Sequence, residues 1–499
     1  MTSMSFSQLS AIYSRPGAVS TRLDAVTAHH EAASARPTRT ADGSPLRSLD
    51  RGRLRALLER ERRAYVACHP RSLELYDDAR DSLLAGVPMS WMAIWPGGFP
   101  VYFTKAHGNR ITDVDGGTYI DFCLGDTGAM TGHSPEIVME AVRKRISEDG
   151  GITTMLPTED AAAVGRDLQR RFGLPYWQFT LSATDANRFV LRMARQVTRR
   201  PYVLVFSRCY HGTVDETVIV VGPDGRPMSK PGNVGPQVDP TLTTKVVEFN
   251  DVDALREALA LGDVAAVLME PAMTNIGIVP PEPGFLDAVR ALCDETGTLL
   301  INDETHTFSA SYGGCTRAWG LRPDVVTVGK ALGSGIPIGA YGVSKDFAER
   351  ILADTEADLV DQGGVGGTLA GNALSLAAAR ATLEHVLTEE NFAKMIALCT
   401  EYTRGVQAVI DEHRAPWSIV QIGARAEYRF TPRVPRSGGE SAAAHDAELD
   451  EYMHLYTINR GILMTPFHNM ALMCPATSEA DVDRHTLVFG EAVAELFAD

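Results

Sequence analysis

The sequence lacks three features that would direct it to particular partners. Its 499 residues carry a formal net charge of -16, so it has no excess of basic residues for binding nucleic acid. No apolar run approaches the roughly 18 residues of a membrane span. The N-terminus has no charged segment followed by an apolar one, as a secretory signal would require. We therefore expect neither a nucleic-acid nor a membrane partner, and we predict a cytoplasmic location.

Paired cysteines are also lacking. The seven cysteines are scattered and odd in number, and they form no CxxC pair. This pattern favours buried thiols in a reducing compartment over a disulfide framework, and we predict no metal site.

The length and composition of the chain indicate a globular protein of several lobes. With 44% hydrophobic residues among 499, the chain is too long for one compact core. The first 50 residues, rich in Ser, Thr, Ala and Arg, predict a loosely ordered arm, and 53–69 predict an amphipathic helix. We divide the chain into an N-terminal arm and helix (1–85), the first part of a small domain and the passage into the large domain (86–150), a large cofactor-binding domain (151–375) and a C-terminal small domain (376–499).

Apolar segments alternate with helical patterns in the middle of the chain. The predicted strands are 202–206, 264–270, 297–303, 325–331 and 340–344. Because these segments are apolar without alternation and are separated by helices, they predict an α/β domain with a mostly parallel sheet. The later segments 418–430 and 462–466 predict strands of a smaller α+β lobe.

Polar side chains follow several of these strands at the point where each strand ends. Asp303 follows one strand and Lys330 another, and ligands of open α/β sheets bind outside these carboxyl ends. A lysine in a cleft can form a Schiff base with a carbonyl group. A nearby aspartate favours the protonated form of a pyridine nitrogen. The pair therefore matches the needs of pyridoxal phosphate.

This cofactor also needs a site for its phosphate. Ser182, Ala183 and Thr184 lead into a predicted helix at 186–198, and the N–H groups and dipole of a helix N-terminus attract anions. An ordinary capped helix would have the same sequence, so both interpretations stay open. The aromatic segment 88–103 likewise predicts either one wall of an apolar pocket or packing against the protein body.

The ordered set of motifs resembles the class III aminotransferases, and within them the glutamate semialdehyde aminomutase-like branch. The resemblance covers roughly 85–495. The matching segments are SATDANRFVLRMAR, CYHG, EPAMTNIGIVPPEPGFL, LLINDE, PDVVTVGKALGSGIPIGAYG and GTLAGNALSLAA. It implies the fold type I of pyridoxal phosphate-dependent transferases, with a large domain built on a mostly parallel seven-stranded sheet and a smaller α+β domain.

The resemblance also implies roles for individual residues. Lys330 would bond covalently to the cofactor, and Asp303 would pair with its ring nitrogen. Tyr210 would stack on one face of the ring, and Thr305 stands where the family usually has a valine on the other face. The other implied cofactor-binding residues are Ser182, Ala183, Thr184, His211 and Thr368. Thr368 would reach the phosphate from a partner subunit, which implies a homodimer with shared active sites.

The sequence departs from the aminomutase pattern at three places. His306 replaces the usual glutamine or methionine, the segment 88–100 contains no arginine, and Met470 stands where a glutamate is expected. His306 would line the substrate side, bond near the ring hydroxyl, or simply be packed. The other substrate-binding candidates are Trp91, Trp95, Asn275 and Arg425. A surface or interdomain salt bridge is the competing interpretation of Arg425.

These departures argue against aminomutase activity, because a pocket holding Trp91, Met92 and Trp95 fits a doubly polar substrate poorly. We predict a ping-pong aminotransferase that moves an amino group from a bulky, partly apolar amine or amino acid to a keto acid or aldehyde. The alternative is an aminomutase or racemase that uses the same cofactor. A nicotinamide-dependent oxidoreductase lacks support, since no GxGxxG follows an early strand.

Overall fold

The computed structural model describes residues 45–355 and 363–498, and these contain sixteen strands. In chain order they are β1 (Phe103–His107), β2 (Arg110–Asp113), β3 (Thr118–Asp121), β4 (Tyr176–Thr180), β5 (Tyr202–Phe206), β6 (Ile219–Val221), β7 (Pro227–Ser229), β8 (Thr244–Val247), β9 (Val264–Met269), β10 (Leu299–Asp303), β11 (Val325–Val328), β12 (Gly339–Val343), β13 (Ser418–Ile422), β14 (Arg425–Arg429), β15 (Ile462–Leu463) and β16 (Met470–Leu472).

The α-helices of the described residues lie between and after these strands. They are Arg51–Cys68, Pro70–Ala79, Glu136–Lys144, Glu159–Phe172, Ala183–Thr198, Val252–Leu259, Phe285–Thr296, Gly314–Ala318, Lys345–Ala353, Ala373–Ala381, Glu389–Glu412, Gly438–Ala443, Ala447–Ile458 and Glu479–Leu496. None of them is both long and apolar enough to span a bilayer.

Seven strands form the central sheet, in the order β4-β12-β11-β10-β9-β5-β8. The neighbours from β11 across to β8 are parallel, and β12 runs antiparallel to both of its neighbours. Every residue of β9, β10, β11 and β12 is buried. This explains their continuous apolar sequences, because strands covered on both faces have no solvent side. The predicted α/β fold of type I with a mostly parallel seven-stranded sheet is confirmed.

The strands β1, β2 and β3 form a three-stranded antiparallel meander ahead of the central sheet. Its edge strand β3 also pairs in parallel with β15, where Ile120 is opposite Ile462. Segments from both ends of the chain therefore share one sheet. A second small sheet, β13-β14-β16, is antiparallel and lies within the C-terminal part.

The N-terminal helix Arg51–Cys68 is anchored to this smaller lobe. Its stripe of Leu54, Leu58 and Tyr65 is buried, as the amphipathic pattern predicts. Buried Glu61 bonds to Arg460 and to the side chain of Asn459, which compensates the burial of its charge. The predicted arm at 1–50 lies almost entirely outside the described residues, and the four-part division of the chain stays a prediction.

Candidate active site

A cavity of about 410 Å³ opens at the carboxyl ends of the central parallel strands. Small and aliphatic residues form part of its wall. The predicted site residues that line it are Ser182, Ala183, Thr184, Tyr210, Asp303, Thr305, His306 and Lys330. The structure thus brings together eight side chains that come from four separate segments of the sequence.

Asp303 ends strand β10 and is buried, with 3% of its surface exposed. Its Oδ2 accepts hydrogen bonds from Asn187 Nδ2 at 2.8 Å and from His211 Nδ1 at 2.9 Å. Its Oδ1 accepts from the backbone N–H of Thr305 at 3.0 Å. Burial acts to raise the pKa of Asp303, but these donors, His211 foremost, bring it below its ordinary value. The carboxylate is therefore ionised at neutral pH and is held in one orientation.

Asn187 and His211 stand behind Asp303 and orient it. Asn187 Nδ2 also donates to the backbone oxygen of His211, and its Oδ1 accepts from the hydroxyl of Thr327. His211 is buried but is not among the cavity-lining residues. Its contact with Asp303 makes it a support for the carboxylate, whereas the sequence had suggested a direct contact with the cofactor. That direct contact stays a prediction.

Glu304, the neighbour of Asp303, points away from the cavity. Its carboxyl group accepts hydrogen bonds from the hydroxyl of Thr307 and from the backbone N–H groups of Cys315 and Thr316. These contacts tie the strand end to the helix Gly314–Ala318. Burial raises the pKa of Glu304 despite the donors. Two adjacent carboxyl groups thus serve different purposes.

Lys330 follows β11 and begins a short 3-10 turn, Lys330–Gly333. Its φ of 42° lies in the left-handed region, which is uncommon for a residue with a side chain. The preceding Gly329 packs against the start of the next helix, since a Cβ there would lie 3.0 Å from Ala183 Cβ. Close backbone contact therefore brings Lys330 and the helix N-terminus to the same cavity.

The helix Ala183–Thr198 begins three residues earlier than predicted, at the proposed phosphate site itself. Ser182 caps it, with its hydroxyl accepting from the backbone N–H of Asp185 at 3.2 Å. The N–H groups of Ala183 and Thr184 belong to the first turn, which has no preceding carbonyls to bond. Gly212 closes over this turn with a φ of 79°, and a Cβ there would lie 2.0 Å from Thr184 Oγ1. A helix start of this kind can bind an anion, and the phosphate contact of these residues stays a prediction.

The sequence analysis missed Asp126. Its Oδ2 lies 2.7 Å from Lys330 Nζ, and its Oδ1 is buried without a hydrogen-bond partner among the described residues. Burial acts to raise the pKa of Asp126, but the positive charges nearby, led by Lys330, hold it well below its usual range. Its loop contains four consecutive left-handed residues, Leu124, Gly125, Asp126 and Thr127. Such strain is typical of functional sites, but only the Gly-Asp pair hinted at a turn in the sequence.

Arg425 and His306 form a buried polar cluster beside Lys330. Arg425 Nη2 lies 3.0 Å from His306 Nδ1 and also donates to the hydroxyl of Thr127. His306 Nε2 lies 2.9 Å from Lys330 Nζ. Arg425 Nε has no hydrogen-bond partner among the described residues, so the guanidinium retains donor capacity. Of the two salt bridges considered for Arg425, the surface one is excluded because the side chain is 1% exposed, and the structure pairs Nη2 with Asp126 Oδ1 at 3.9 Å.

Besides His211 and Arg425, four predicted site residues lie outside the set that lines the cavity. Trp91 is 45% exposed and packs edge-on against Phe467, with ring centroids 6.4 Å apart. Trp95 is half-buried and packs against the hydrophobic core. Asn275 is half-buried and bridges to Gly277, and Thr368 is exposed. Their roles in binding substrate or cofactor stay predictions.

The residues of the cavity fit pyridoxal phosphate. Lys330 offers an amine, Asp303 a fixed carboxylate, and the helix start an anion site closed by Gly212. Thr305 lines this cavity, and its buried hydroxyl has no hydrogen-bond partner among the described residues. These features match the covalent, ring-nitrogen and phosphate contacts that the cofactor requires.

Comparison with known proteins gives the same result. The class III aminotransferase family model matches residues 92–475. A glutamate-1-semialdehyde 2,1-aminomutase of Sorangium cellulosum (strain So ce56) is 34% identical over 432 residues, which are 85% of this chain and 96% of that protein.

Solved structures extend the comparison to three dimensions. A glutamate-1-semialdehyde-aminomutase from Pseudomonas aeruginosa PAO1, in complex with PMP, is 47% identical with a TM-score of 0.88, covering 90% of this chain and 99% of that one. A β-phenylalanine aminotransferase from Variovorax paradoxus is 26% identical with a TM-score of 0.77, covering 88% and 97%. The chain therefore belongs to the class III aminotransferase family, and its cofactor is pyridoxal phosphate.

Proposed function

We propose that the enzyme is an aminomutase, which moves an amino group between neighbouring carbons of one small amino aldehyde that also carries a carboxylate. The sequence led us to expect an aminotransferase. The comparisons favour the alternative, because the relatives at 34% and 47% identity are named aminomutases. Glutamate 1-semialdehyde is the substrate that those names print, and we take it as the first candidate here.

The pair formed by Arg425 and Asp126 carries this proposal. The argument against an aminomutase was the missing arginine in 88–100 and the missing glutamate at Met470. Arg425 and Asp126 come from other segments of the chain and lie near Lys330 instead. Asp126 contacts Lys330 Nζ directly, and Arg425 is linked to Lys330 through His306. An amino aldehyde of this kind has one carboxylate and one amino group. Arg425 suits the carboxylate and Asp126 suits the amino group.

The residues of the chain divide the chemical work among them. Lys330, Asp303, Tyr210 and the first turn of Ala183–Thr198 would hold the cofactor. When bound, pyridoxal phosphate supplies a ring that takes up the electrons of the bond broken at the substrate carbon. Asp303 keeps the proton on the ring nitrogen, since its carboxylate is ionised and fixed by three donors. Lys330 Nζ removes and returns protons at the substrate carbons.

We also propose a homodimer in which Thr368 reaches the site of the partner subunit. Thr368 is exposed and does not line the cavity of its own chain. The segment that follows Thr368 contacts a distant segment with exposed apolar side chains, because Ala373 N bonds to the oxygen of Ile152. Met155 is 85% exposed and Leu156 is 74% exposed. Apolar surface of this kind supports association with another subunit.

A second candidate is transfer of the amino group between two molecules. The observation that favours it is the exposed aromatic pair of Trp91 and Phe467, which lie edge to face. The β-phenylalanine aminotransferase at 26% identity is named for a substrate with an aromatic side chain, which an aromatic pair of this kind would suit.

The two functions differ in their need for an acceptor. Purified enzyme loaded with cofactor is given glutamate 1-semialdehyde and no second carbonyl compound. An aminomutase forms the isomer with the amino group on carbon 1 in many-fold excess over enzyme. An aminotransferase stops after about one turnover per site and resumes only with pyruvate or 2-oxoglutarate. The Lys330→Ala variant should do neither. A stop after one turnover would overturn the aminomutase proposal.

A further inference from the structure

Strand β14 carries two buried charged side chains on one face. Every second side chain of a strand lies on the same face, so Arg425 and Glu427 share a face. The next residue, Tyr428, points the other way and packs against Phe489 in the smaller lobe, with ring centroids 5.1 Å apart. Arg425 donates to the hydroxyl of Thr127 in the loop beside the cavity. The face that Arg425 and Glu427 share is therefore the one turned toward the active site.

The carboxylate of Glu427 lacks a partner on one of its oxygens. The residue is 1% exposed, and its Oε1 lies 3.3 Å from His468 Nδ1. Its Oε2 is buried and has no hydrogen-bond partner among the described residues. Met470 lies opposite Glu427 on β16, and a thioether has no N–H to donate. Leaving a buried oxygen unpaired is costly, so the position favours a ligand that brings N–H groups.

Arg425 also keeps an unpaired atom, its Nε, which is buried without a hydrogen-bond partner among the described residues. Its salt bridge is with Asp126, whereas Glu427 pairs with His468. Burial lowers the pKa of Arg425, and the charges of Asp126 and Glu427 oppose this effect, so the three groups lie within electrostatic range of one another. One face of β14 thus offers an unpaired donor and an unpaired acceptor, which suit a ligand with both a carboxylate and an ammonium group.

The proposed reaction requires two places for an amino group. An amino group that moves between neighbouring carbons stands on one carbon in the substrate and on the other in the product. Asp126 lies 2.7 Å from Lys330 Nζ, so it is placed for the nitrogen on the carbon that reacts at the cofactor. A nitrogen on the neighbouring carbon needs another acceptor, and Glu427 supplies a carboxylate on the face of Arg425.

We propose that Glu427 is a specificity-determining residue that binds the amino group on the carbon next to the reacting one. Its Oε2 accepts from the ammonium, while His468 holds Oε1 and Arg425 binds the carboxylate of the same molecule. The site then prefers a carboxylic acid with nitrogen on two adjacent carbons over one with a single amino group. This inference rests on the proposed function, in which Arg425 binds the substrate carboxylate.

The test compares two acids that have the same five-carbon chain and differ by one amino group, 5-aminopentanoate and 4,5-diaminopentanoate. Full-length enzyme loaded with pyridoxal phosphate is titrated with each, and the change in its visible absorption band gives the concentration for half of the effect. Glu427→Gln keeps the shape of the side chain and an oxygen for His468, but it turns an NH₂ group toward the ligand. Glu304→Gln is the matched control, because Glu304 is equally buried but bonds to Cys315 and Thr316.

We expect wild type to reach half of the effect at a concentration at least about tenfold lower for the diamino acid, since a hydrogen bond between charged groups is strong. Glu427→Gln should lose this preference and bind the monoamino acid within about twofold of wild type, whereas Glu304→Gln should keep the preference. If Glu427→Gln takes up no cofactor, Glu427→Asp replaces it. That variant withdraws the charge by one methylene group and should reduce the preference at least about threefold.

The outcomes separate this inference from the proposed function. A wild-type enzyme without the preference, or a Glu427→Gln enzyme that keeps it, would overturn the inference alone. Arg425→Gln should weaken the binding of both acids, because each has a carboxylate. Unchanged binding of both acids in Arg425→Gln would overturn the proposed function as well.

Discussion

Replacing Asp303 with asparagine tests how much of the site depends on one charge. Asparagine keeps the shape but has one oxygen and one NH₂ group. Its oxygen can face either the donors Asn187 and His211 or the backbone N–H of Thr305. In each orientation a donor meets a donor. We therefore expect a loss of about 1–3 kcal/mol in the free energy of unfolding, the usual cost of an unsatisfied buried group.

The catalytic loss from this substitution has a separate cause. The asparagine cannot supply the negative charge that holds a proton on the cofactor ring nitrogen. A hydrogen bond to a charged group contributes about 1.5–3 kcal/mol. At about 1.4 kcal/mol for each factor of ten, kcat should fall by at least about 10- to 150-fold. The assay is the rate of isomer formation per folded enzyme, with the unfolding free energy measured in urea.

Glu304→Gln is the matched control, since Glu304 is the adjacent buried carboxyl group but faces away from the cavity. Its glutamine also turns an NH₂ toward donors, those of Thr307, Cys315 and Thr316. We expect a similar loss of stability, about 1–3 kcal/mol, with kcat per folded molecule unchanged. Equal losses of kcat in both variants, or an Asp303→Asn enzyme with more than half the wild-type kcat, would refute the assignment of the ring-nitrogen contact to Asp303.

Three further predictions test other parts of the molecule. Gly212→Ala should weaken pyridoxal phosphate binding at least about tenfold, because the new Cβ displaces Thr184; equilibrium dialysis measures this, and an unchanged Kd contradicts the predicted phosphate contact. Asp481→Asn should lower the free energy of unfolding at pH 7, and its difference from wild type should shrink below about pH 4. Partners such as Arg110 depress the pKa of Asp481 against the effect of burial, so the stabilisation by the carboxylate is lost as pH falls. Urea unfolding from pH 3 to 7 checks this, and a difference that does not change with pH contradicts it. A mixture of Lys330→Ala and Thr368→Asp chains should recover up to about a quarter of wild-type activity. Half of the dimers then contain one chain of each kind, and one of the two sites in such a dimer is intact. No recovery means that Thr368 does not act across subunits.

The strands and the gathering of the site could be predicted from the sequence. The segment around 299–303 is apolar on both faces, so it belongs inside a parallel sheet, and its terminal Asp303 must then lie at the ligand-binding edge. The same argument placed Lys330 beside it. Short-range apolar patterns and one topological rule were sufficient for this part.

The substrate side could not be predicted in the same way. Asp126 lies in a loop whose left-handed residues follow no hydrophobic period, and Arg425 begins a strand of the smaller lobe. The two come close only because the lobes pack together, and nothing local in either segment reports that contact. The sequence therefore offered Arg425 only as an isolated candidate and did not indicate Asp126, and the main prediction of an aminotransferase rested on the segment 88–100 and on Met470 instead.

The pairing of β3 with β15 has a consequence for how the enzyme forms. Ile120 cannot meet Ile462 until nearly the whole chain has left the ribosome, and closing so long a loop is entropically costly and slow. The central sheet needs no such wait, since its strands lie within 176–343. We expect a folding intermediate in which this sheet is complete and the smaller lobe is still open. Such an intermediate would have Asp303 and Lys330 in place before Asp126 and Arg425 arrive, and would bind the cofactor before it could select a substrate.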